Sequence, residues 1–468
     1  MYTTMNIALI CPSQEGIYGT FKAPAQMHMG IAYLAAVAKP AQVRIIDMHA
    51  EHLTKEQFAA IIHEGNFDIV GFSVVTPAVD SAFELASAVK KVSKDTLVVF
   101  GGVHPTILPQ DVLTHNDVDV VVIGEGEVTF RELIQARQAG KDISDIPGLA
   151  FRKDGAVFFS PARPLIQDLD VIPFPARELF IHKEYTYPDS LYKASAPIIT
   201  SRGCPGRCSF CASHKIFGRT FRMRSAAHVV DEIEDLVKRQ GIREIHIWDD
   251  NFVTDRNRVF AIRDEVVRRK LQVKIAFPNG MRADFINAEL LTALKQMGVY
   301  SIAIGVESGS QRILDTCHKG VRLARIEEAF TLMKKMGFET WAFFMFGLPG
   351  ETEETIRETI AFALKLDPDI AKFHLLKPFP GNETYEYFSS KGFILTNDYR
   401  QYGFHTPPIH RLETLMPEDM VRWQKIAYRK FYFRPGKIIQ QIFRMRSLNR
   451  CILNMRAALG IVRMIRLR

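Results

Sequence analysis

Short β-rich runs alternate with helical stretches twice over in this chain of 468 residues, and that double alternation limits the fold more than any other property. In the first series, strands are expected at Asn6–Ile10, Val43–Asp47, Ile69–Ser73, Leu97–Phe100 and Val118–Ile123. Helical patterns fall between them near 27–38, 54–63 and 79–92, and again after Glu127. Such a series builds a doubly wound α/β parallel sheet covered on both faces. The second series places strands at Pro197–Thr200, Glu244–Trp248, Val273–Phe277, Ser301–Gly305, Thr340–Phe346 and Asp369–Leu375. Helices are expected over 226–239, 256–269, 288–297, 322–336 and 353–366, giving six βα units and a partial barrel. The implied division is a sheet domain over 1–140, a hairpin and proline-punctuated linker over 141–190, a barrel over 191–385 and a helical, basic region over 386–468.

Parallel sheets bind ligands at the carboxyl ends of their strands, so the turns there are the first candidates for a site. In the first domain they read Ser73-Val-Val-Thr76-Pro, Gly101-Gly102-Val-His104-Pro-Thr106 and Gly124-Glu125-Gly126-Glu127. Glycines without Cβ atoms let the backbone approach a large planar ligand. In the barrel the corresponding turns are Asp249-Asp250-Asn251, Asn279-Gly-Met-Arg282-Ala-Asp284, Gly305-Val-Glu307-Ser308-Gly309 and Gly347-Leu-Pro349-Gly350-Glu351-Thr352. One such turn alone is an ordinary helix cap; four in register after successive strands are not.

Directly after Pro197–Thr200 comes Cys204-Pro-Gly-Arg-Cys208-Ser-Phe210-Cys211. Three thiolates within eight residues can hold three corners of an iron–sulfur cube and leave the fourth iron open for chemistry. With His214 three residues on, the same loop also has the donors of a closed Cys₃His zinc site. The remaining cysteines, Cys11, Cys317 and Cys451, are scattered, a distribution suited to a reducing interior rather than a disulfide framework. Neither a signal peptide nor a bilayer-spanning apolar run is evident, so a cytoplasmic protein is expected.

The net charge of +8 is concentrated at one end. Residues 421–468 carry thirteen Lys or Arg and no Asp or Glu, so the rest of the chain is net acidic and nucleic acid is not an expected partner. Leu448, Ile452, Met455, Leu459, Val462 and Ile465 recur at helical steps. A basic amphipathic helix of this kind fits either an anionic membrane surface, here the inner face, or a place against the barrel. Tyr399, Tyr402, His405 and His410 are candidates to cap the barrel mouth and touch substrate, with packing or surface the stronger reading; Cys317 is read as a packing or loop residue; and His318 and Lys319 could face substrate, with solvent the stronger reading.

The C-x₃-C-x₂-C loop with an aromatic before its last cysteine resembles the signature of the radical S-adenosylmethionine superfamily. Gly-Gly-x-His-Pro-Thr followed by Gly-Glu-Gly-Glu resembles the cobalamin-binding domain that precedes many of its members. Ile172-Pro-Phe-Pro-Ala-Arg177 occurs in such relatives too. The resemblance implies a [4Fe-4S] cluster on Cys204, Cys208 and Cys211, whose open iron chelates S-adenosylmethionine and cleaves it to a 5′-deoxyadenosyl radical. It assigns Glu307 and Ser308 to the ribose, Arg282 to the methionine carboxylate, and Phe210 with Gly347, Pro349 and Gly350 to the adenine. Cobalamin would lie over Ser73, Thr76, Gly101, Gly102, Gly124, Glu125 and Gly126, with His104 lining that pocket.

The familiar cobalt-ligating D-x-H-x-x-G pattern is missing: the first strand runs into Cys11-Pro-Ser-Gln-Glu-Gly16. The resemblance therefore implies cobalamin held without a protein imidazole. It also implies an electron donor such as flavodoxin or ferredoxin. The activity implied is methylation of an unactivated carbon in a lipid-like, tetrapyrrole or other small-molecule substrate. Two alternatives stand beside it: a non-methylating enzyme of the anaerobic Mg-protoporphyrin monomethyl ester cyclase type, and a non-catalytic cobalamin-binding protein with a zinc knuckle.

Overall fold

The computed structural model describes residues 4–13, 25–180, 185, 187, 190–404, 406–443, 455 and 459–460. His405, Cys451 and most of the basic tail, with Leu448, Ile452, Val462 and Ile465, lie outside the described residues.

Five parallel strands form the heart of the first domain: β1 (Asn6–Cys11), β2 (Gln42–Asp47), β3 (Ile69–Ser73), β4 (Leu97–Gly101) and β5 (Val120–Val122). They run in the order β2-β1-β3-β4-β5. Helices over Met29–Val37, Lys55–Gly65, Val79–Val92 and Gly126–Ala139 cover both faces, and a separate apolar core lies on each. Local sequence fixes the helix starts. Thr54 and Gln57 make a reciprocal capping box that opens the Lys55–Gly65 helix one residue inside the expected boundary.

The hairpin expected in the linker belongs to this sheet instead. Strands β6 (Leu149–Lys153) and β7 (Ala156–Phe159) extend it antiparallel beyond β5, turning at Asp154 and Gly155. The first domain therefore continues to about residue 160, and the boundary expected at 140 falls inside its sheet. The physical reason is pairing: β5 would otherwise be a bare edge, and Leu149, Ala150 and Phe151 bury against the core when they cover it.

The second domain is a six-stranded, all-parallel open barrel. Its strands are β8 (Ser195–Ile198), then, after a two-residue ladder of β9 (Ser201–Arg202) with β10 (Arg222–Met223), β11 (Glu244–Ile247), β12 (Lys274–Met281), β13 (Val299–Glu307), β14 (Glu339–Phe346) and β15 (Ile370–Leu375). Its five expected helices form within one residue of their expected bounds. Alternate strand residues, such as Ile245, Ile247, Ile302, Ile304, Phe344 and Phe346, pack outward under those helices.

The helix Pro417–Tyr432 closes the free edge of β15. Gln424 donates to the Phe373 carbonyl (2.7 Å), the Phe373 amide donates to Tyr428 Oη (3.2 Å), and the Ala371 amide donates to Tyr432 Oη (3.1 Å). Four-residue spacing on the helix thus meets two-residue spacing on the strand. No helix among the described residues is long and apolar enough to cross a membrane.

Candidate functional site

One cavity lies between the two domains. On the sheet side it is lined by the ends of β3, β4 and β5, including Ser73, Gly101, Gly102, Gly124, Glu125 and Gly126. On the barrel side it is lined by Ile199, Ser201, Arg202, Ile216, Phe217, Trp248 and Asp250. Counting its open mouth, it holds ≈ 1260 Å³ of free space.

At the strand-end turns the sheet side offers backbone of four glycines, Gly101, Gly102, Gly124 and Gly126. Gly102 has φ +97°, and a Cβ there would come within 2.9 Å of the Val74 amide nitrogen. Gly124 has φ +79° with nothing standing over it within 4 Å. Both positions require glycine for conformation, and the second also leaves open room. This cradle fits a broad, flat group such as a corrin.

Two expected lining residues are elsewhere. His104 is buried behind the β4 turn, its Nδ1 3.3 Å from Thr76 Oγ1 and its ring edge-on to Tyr399. Burial lowers its pKa to about 4. Thr76 is consumed by that contact. The short helix Val103–Ile107 begins right after Gly102 and carries the His104 side chain under the turn rather than over the cavity.

A histidine that no motif marked does line the cavity: His28. Its Nδ1 accepts from the Ile31 amide (3.3 Å), capping the Met29–Val37 helix. Burial lowers the pKa of this ring and so favours its neutral form, in which an accepting Nδ1 leaves the proton on Nε2.

The residues flanking the cysteine loop, Ser201 and Arg202 before it and Ile216 and Phe217 after it, line this cavity, while Pro205, Gly206 and Arg207 of the loop line a separate groove. Both Cys204 and Cys208 sulfurs flank Gly206: a Cβ on that glycine would lie 3.3 Å from the first and 3.9 Å from the second. Burial, then the charge of Asp250 and the neighbouring thiols, pushes Cys211 up to about 11. Burial likewise raises Cys204. Asp250 lines the cavity and accepts from Ser213 Oγ (2.6 Å), so one carboxylate faces both the sulfurs and the open space.

Among the described residues no three His, Cys, Asp or Glu side chains are gathered closely enough to hold a single ion. A zinc needs its sulfurs about 2.3 Å from one centre. His214 turns back on its own loop, with Nδ1 3.0 Å from the Cys211 carbonyl. Three sulfurs on one loop can supply three corners of a cube.

The loop is tied to both domains. At its tip, Ser209 donates to the Cys317 carbonyl (3.0 Å), Thr384 to the Ser209 carbonyl (3.1 Å) and Asn382 to the Phe210 carbonyl (3.0 Å). At its base stands a buried ion cluster. Arg202 Nη1 bonds Glu125 (3.0 Å), Arg222 Nη1 bonds both Glu125 oxygens (2.9 Å each), and Arg202 Nη2 bonds Glu127. Burial alone would raise the Glu127 carboxyl, but Arg202 outweighs it and holds it below the ordinary carboxylate range.

Within the barrel, Glu307 ends β13 with φ +64°, and its carboxylate pairs with Lys319 at 2.7 Å. Lys319 is buried, contrary to its expected solvent-facing place; the turn after Cys317 swings it inward over the Phe210 ring at 6.0 Å. Burial would lower its pKa, and the Glu307 charge more than reverses that. His318 is exposed as expected.

Arg282 spends its fork on Asp284 (2.9 and 3.1 Å) and the Lys319 carbonyl (2.8 Å), beside Gly206 of the cysteine loop. Ser308 is buried, and its hydroxyl is taken by Thr359 Oγ1 (3.1 Å) and the Ser310 amide (3.1 Å), so it caps a loop rather than facing the lumen. Gly347 (φ +96°) accepts from His410 Nε2 (2.9 Å) at its carbonyl and donates to Glu351 (2.6 Å) at its amide. The Gly347–Gly350 turn, with Pro349 buried in it, is thereby packed against the C-terminal region.

An open groove of ≈ 1610 Å³ free space runs along the outer rim of the cysteine loop, lined by Pro205, Gly206, Arg207, Arg219, Arg282 and His318 among others.

The comparisons with known proteins agree with this architecture. Residues 23–134 match the B12 binding domain and residues 198–363 the radical SAM superfamily. An uncharacterized methyltransferase of Pyrococcus horikoshii is 35% identical over 451 residues, covering 94% of this chain and 95% of its own. The anaerobic magnesium-protoporphyrin IX monomethyl ester cyclase of Rubrivivax gelatinosus is 30% identical, over 86% of this chain and 73% of its own. The solved cobalamin-dependent S-adenosylmethionine radical enzyme OxsB, with aqua-cobalamin and S-adenosylmethionine bound, superposes with TM-score 0.74 at 17% identity, over 99% of this chain and 72% of its own.

Proposed function

The chain belongs to the cobalamin-binding radical S-adenosylmethionine enzymes, and on that premise we propose that it is a methyltransferase acting on an unactivated carbon of a small, lipid-like or tetrapyrrole substrate. The observation that carries this reading is the interdomain cavity: the glycine cradle lines one side of it, and Asp250, whose carboxylate bears on Cys204 and Cys211, lines the other. When bound, the cluster with S-adenosylmethionine supplies a carbon-centred radical and cobalamin supplies the methyl group.

The chain's own residues bind, orient and shield. Cys204, Cys208 and Cys211 would hold the cluster. Gly101, Gly102, Gly124 and Gly126 would admit the corrin face, and Trp248, Phe217 and Ile199 exclude water between the two sites. Glu307, oriented by Lys319, accepts hydrogen bonds from ribose hydroxyls. Arg282, beside the cysteine loop, supplies positive charge near the methionine carboxylate. The outer groove at Pro205–Arg207 is the face where an electron donor such as flavodoxin or ferredoxin reaches the cluster. On the short helix Pro435–Phe443, Ile438, Ile439 and Phe443 are exposed at the start of the basic tail, a combination suited to anionic lipid.

Anaerobic reconstitution with methyl-labelled S-adenosylmethionine tests the reading. Iron and acid-labile sulfide on the protein, with label passing to a fraction of cell extract, supports it; zinc without sulfide overturns it. The cyclase relative supports a second reading, oxidation with ring closure, which the product mass separates: one added methyl group, or loss of hydrogen with none.

A further inference from the structure

The cysteine loop is closed at its base by two residues. Arg202 and Arg222 pair directly across the β9–β10 ladder, and all three cysteines lie on the segment between them. Both guanidinium groups reach out of the barrel domain to carboxylates at the end of β5 in the sheet domain. Arg222 places one nitrogen 2.9 Å from each Glu125 oxygen, and Arg202 bridges Glu125 at 3.0 Å and Glu127. Glu125 also accepts from the Ile166 amide at 2.8 Å, and Arg222 donates to the Ile166 carbonyl at 2.6 Å, so the connector between the domains is drawn into the same knot. All four charged side chains are less than a tenth exposed.

Three features separate this cluster from an ordinary buried ion pair. Glu125 stands between Gly124 and Gly126, both of which line the cavity, so its position and that of the cradle are one. The Arg202 guanidinium lies 5.8 Å from both the Tyr33 and Phe217 rings, one from each domain and both lining the cavity. The tip of the same loop is bonded to the barrel through Ser209, Phe210, Cys317, Asn382 and Thr384. A loop fixed to the barrel at its tip and to the sheet at its base transmits any shift between the domains to the sulfurs.

We propose that Glu125, Glu127, Arg202 and Arg222 are positioning residues: an interdomain clamp that sets the separation and tilt of the cysteine loop relative to the glycine cradle. The proposal rests on the cofactor reading above. Two nitrogens per side chain are essential to it: Arg202 divides its two between Glu125 and Glu127, and Arg222 gives one to Glu125 and the other to the Phe217 carbonyl, which one lysine nitrogen cannot reproduce. Two carboxylates and two guanidinium groups balance, so removing one leaves the others buried without full compensation.

The test uses the full-length protein carrying cobalamin and cluster, both reduced to their one-electron paramagnetic states. Their magnetic coupling, measured by pulsed electron paramagnetic resonance, reports the distance between them. Arg222→Lys and Glu127→Gln are expected to widen that distance distribution while each cofactor stays bound. Lys39→Ala, which removes an exposed pair with Glu178, leaves it unchanged.

In the cofactor-free full-length chain, amide exchange over residues 201–223 is expected to rise at least tenfold in the two clamp variants. Unchanged distance and unchanged exchange in both overturn the clamp. If Arg222→Lys fails to fold, Glu127→Gln, which keeps the Arg222–Glu125 pair, decides. If both lose their melting transition, the network is a determinant of the whole fold and the proposal is equally overturned. A wild-type protein that holds only one cofactor defeats the functional reading instead, and the exchange measurement still judges the clamp.

Discussion

The strand-end turns of the two domains are built on opposite plans. In the sheet domain, Gly101, Gly102, Gly124 and Gly126 present main chain to the cavity and nothing else. In the barrel, the equivalent positions carry ionic and hydrogen-bonding side chains that are already spoken for: Glu307 by Lys319, Arg282 by Asp284, and Asp249 by the Thr200 amide at 2.6 Å. The first plan recognises by shape and is damaged by adding atoms. The second recognises by polarity and is damaged by removing a charge.

The largest effect tests the second plan at its extreme. Cys208→Ala is expected to abolish cluster retention, seen as loss of iron and sulfide, while cobalamin still binds to the sheet domain. A variant that keeps its sulfide would break the comparison. Lys319→Met comes next. It strands the buried Glu307 carboxylate and should cost about 3 kcal/mol in denaturant unfolding, the low end for breaking a buried pair. Gly102→Ala tests the first plan. The left-handed backbone and the close Val74 amide predict a loss of ~1–3 kcal/mol and weaker cobalamin binding in an absorbance titration, with iron content unchanged.

Glu351 sharpens the barrel side through pH. Burial pushes its carboxyl up from 4.5 to about 8, against two backbone amides that favour the anion. The folded protein then holds a proton that the unfolded chain releases near 4.5. Stability is full below that pH and falls as pH rises towards 8. Thermal melts from pH 5 to 8 should show this slope, and Glu351→Gln should flatten it. The smallest effect is expected from Lys39→Ala, an exposed pair worth roughly 0–1 kcal/mol and measurable only as a null in the same melts.

Much of this was legible in the sequence because it is local. Periodicity alone located the Val79–Val92 and Glu353–Leu366 helices at their observed bounds, and the cysteine spacing located the loop. What was not legible depends on partners distant in the chain. Gly-Glu-Gly-Glu reads as one ligand-binding turn, yet its glycines face the cavity while its carboxylates meet arginines 75 to 97 residues away. The signal for those arginines was faint: Arg202 stands two residues before Cys204, and Arg222 is one of several basic residues that follow Cys211. His104 shows the complementary failure, since its place in a motif is visible and its direction is set by a short helix that no periodicity announces. Lys319 was misread because its partner Glu307 lies twelve residues back at the end of β13, beyond a short helix, and charge in a loop ordinarily means solvent.

The helix Pro417–Tyr432 has a consequence for shortened forms of the protein. An open barrel ends in a strand with an unspent row of amides and carbonyls, and here Gln424, Tyr428 and Tyr432 occupy that row. A chain cut before Pro417 would keep all three loop cysteines and every cradle glycine, yet it would carry an adhesive seam able to stitch one molecule to the next.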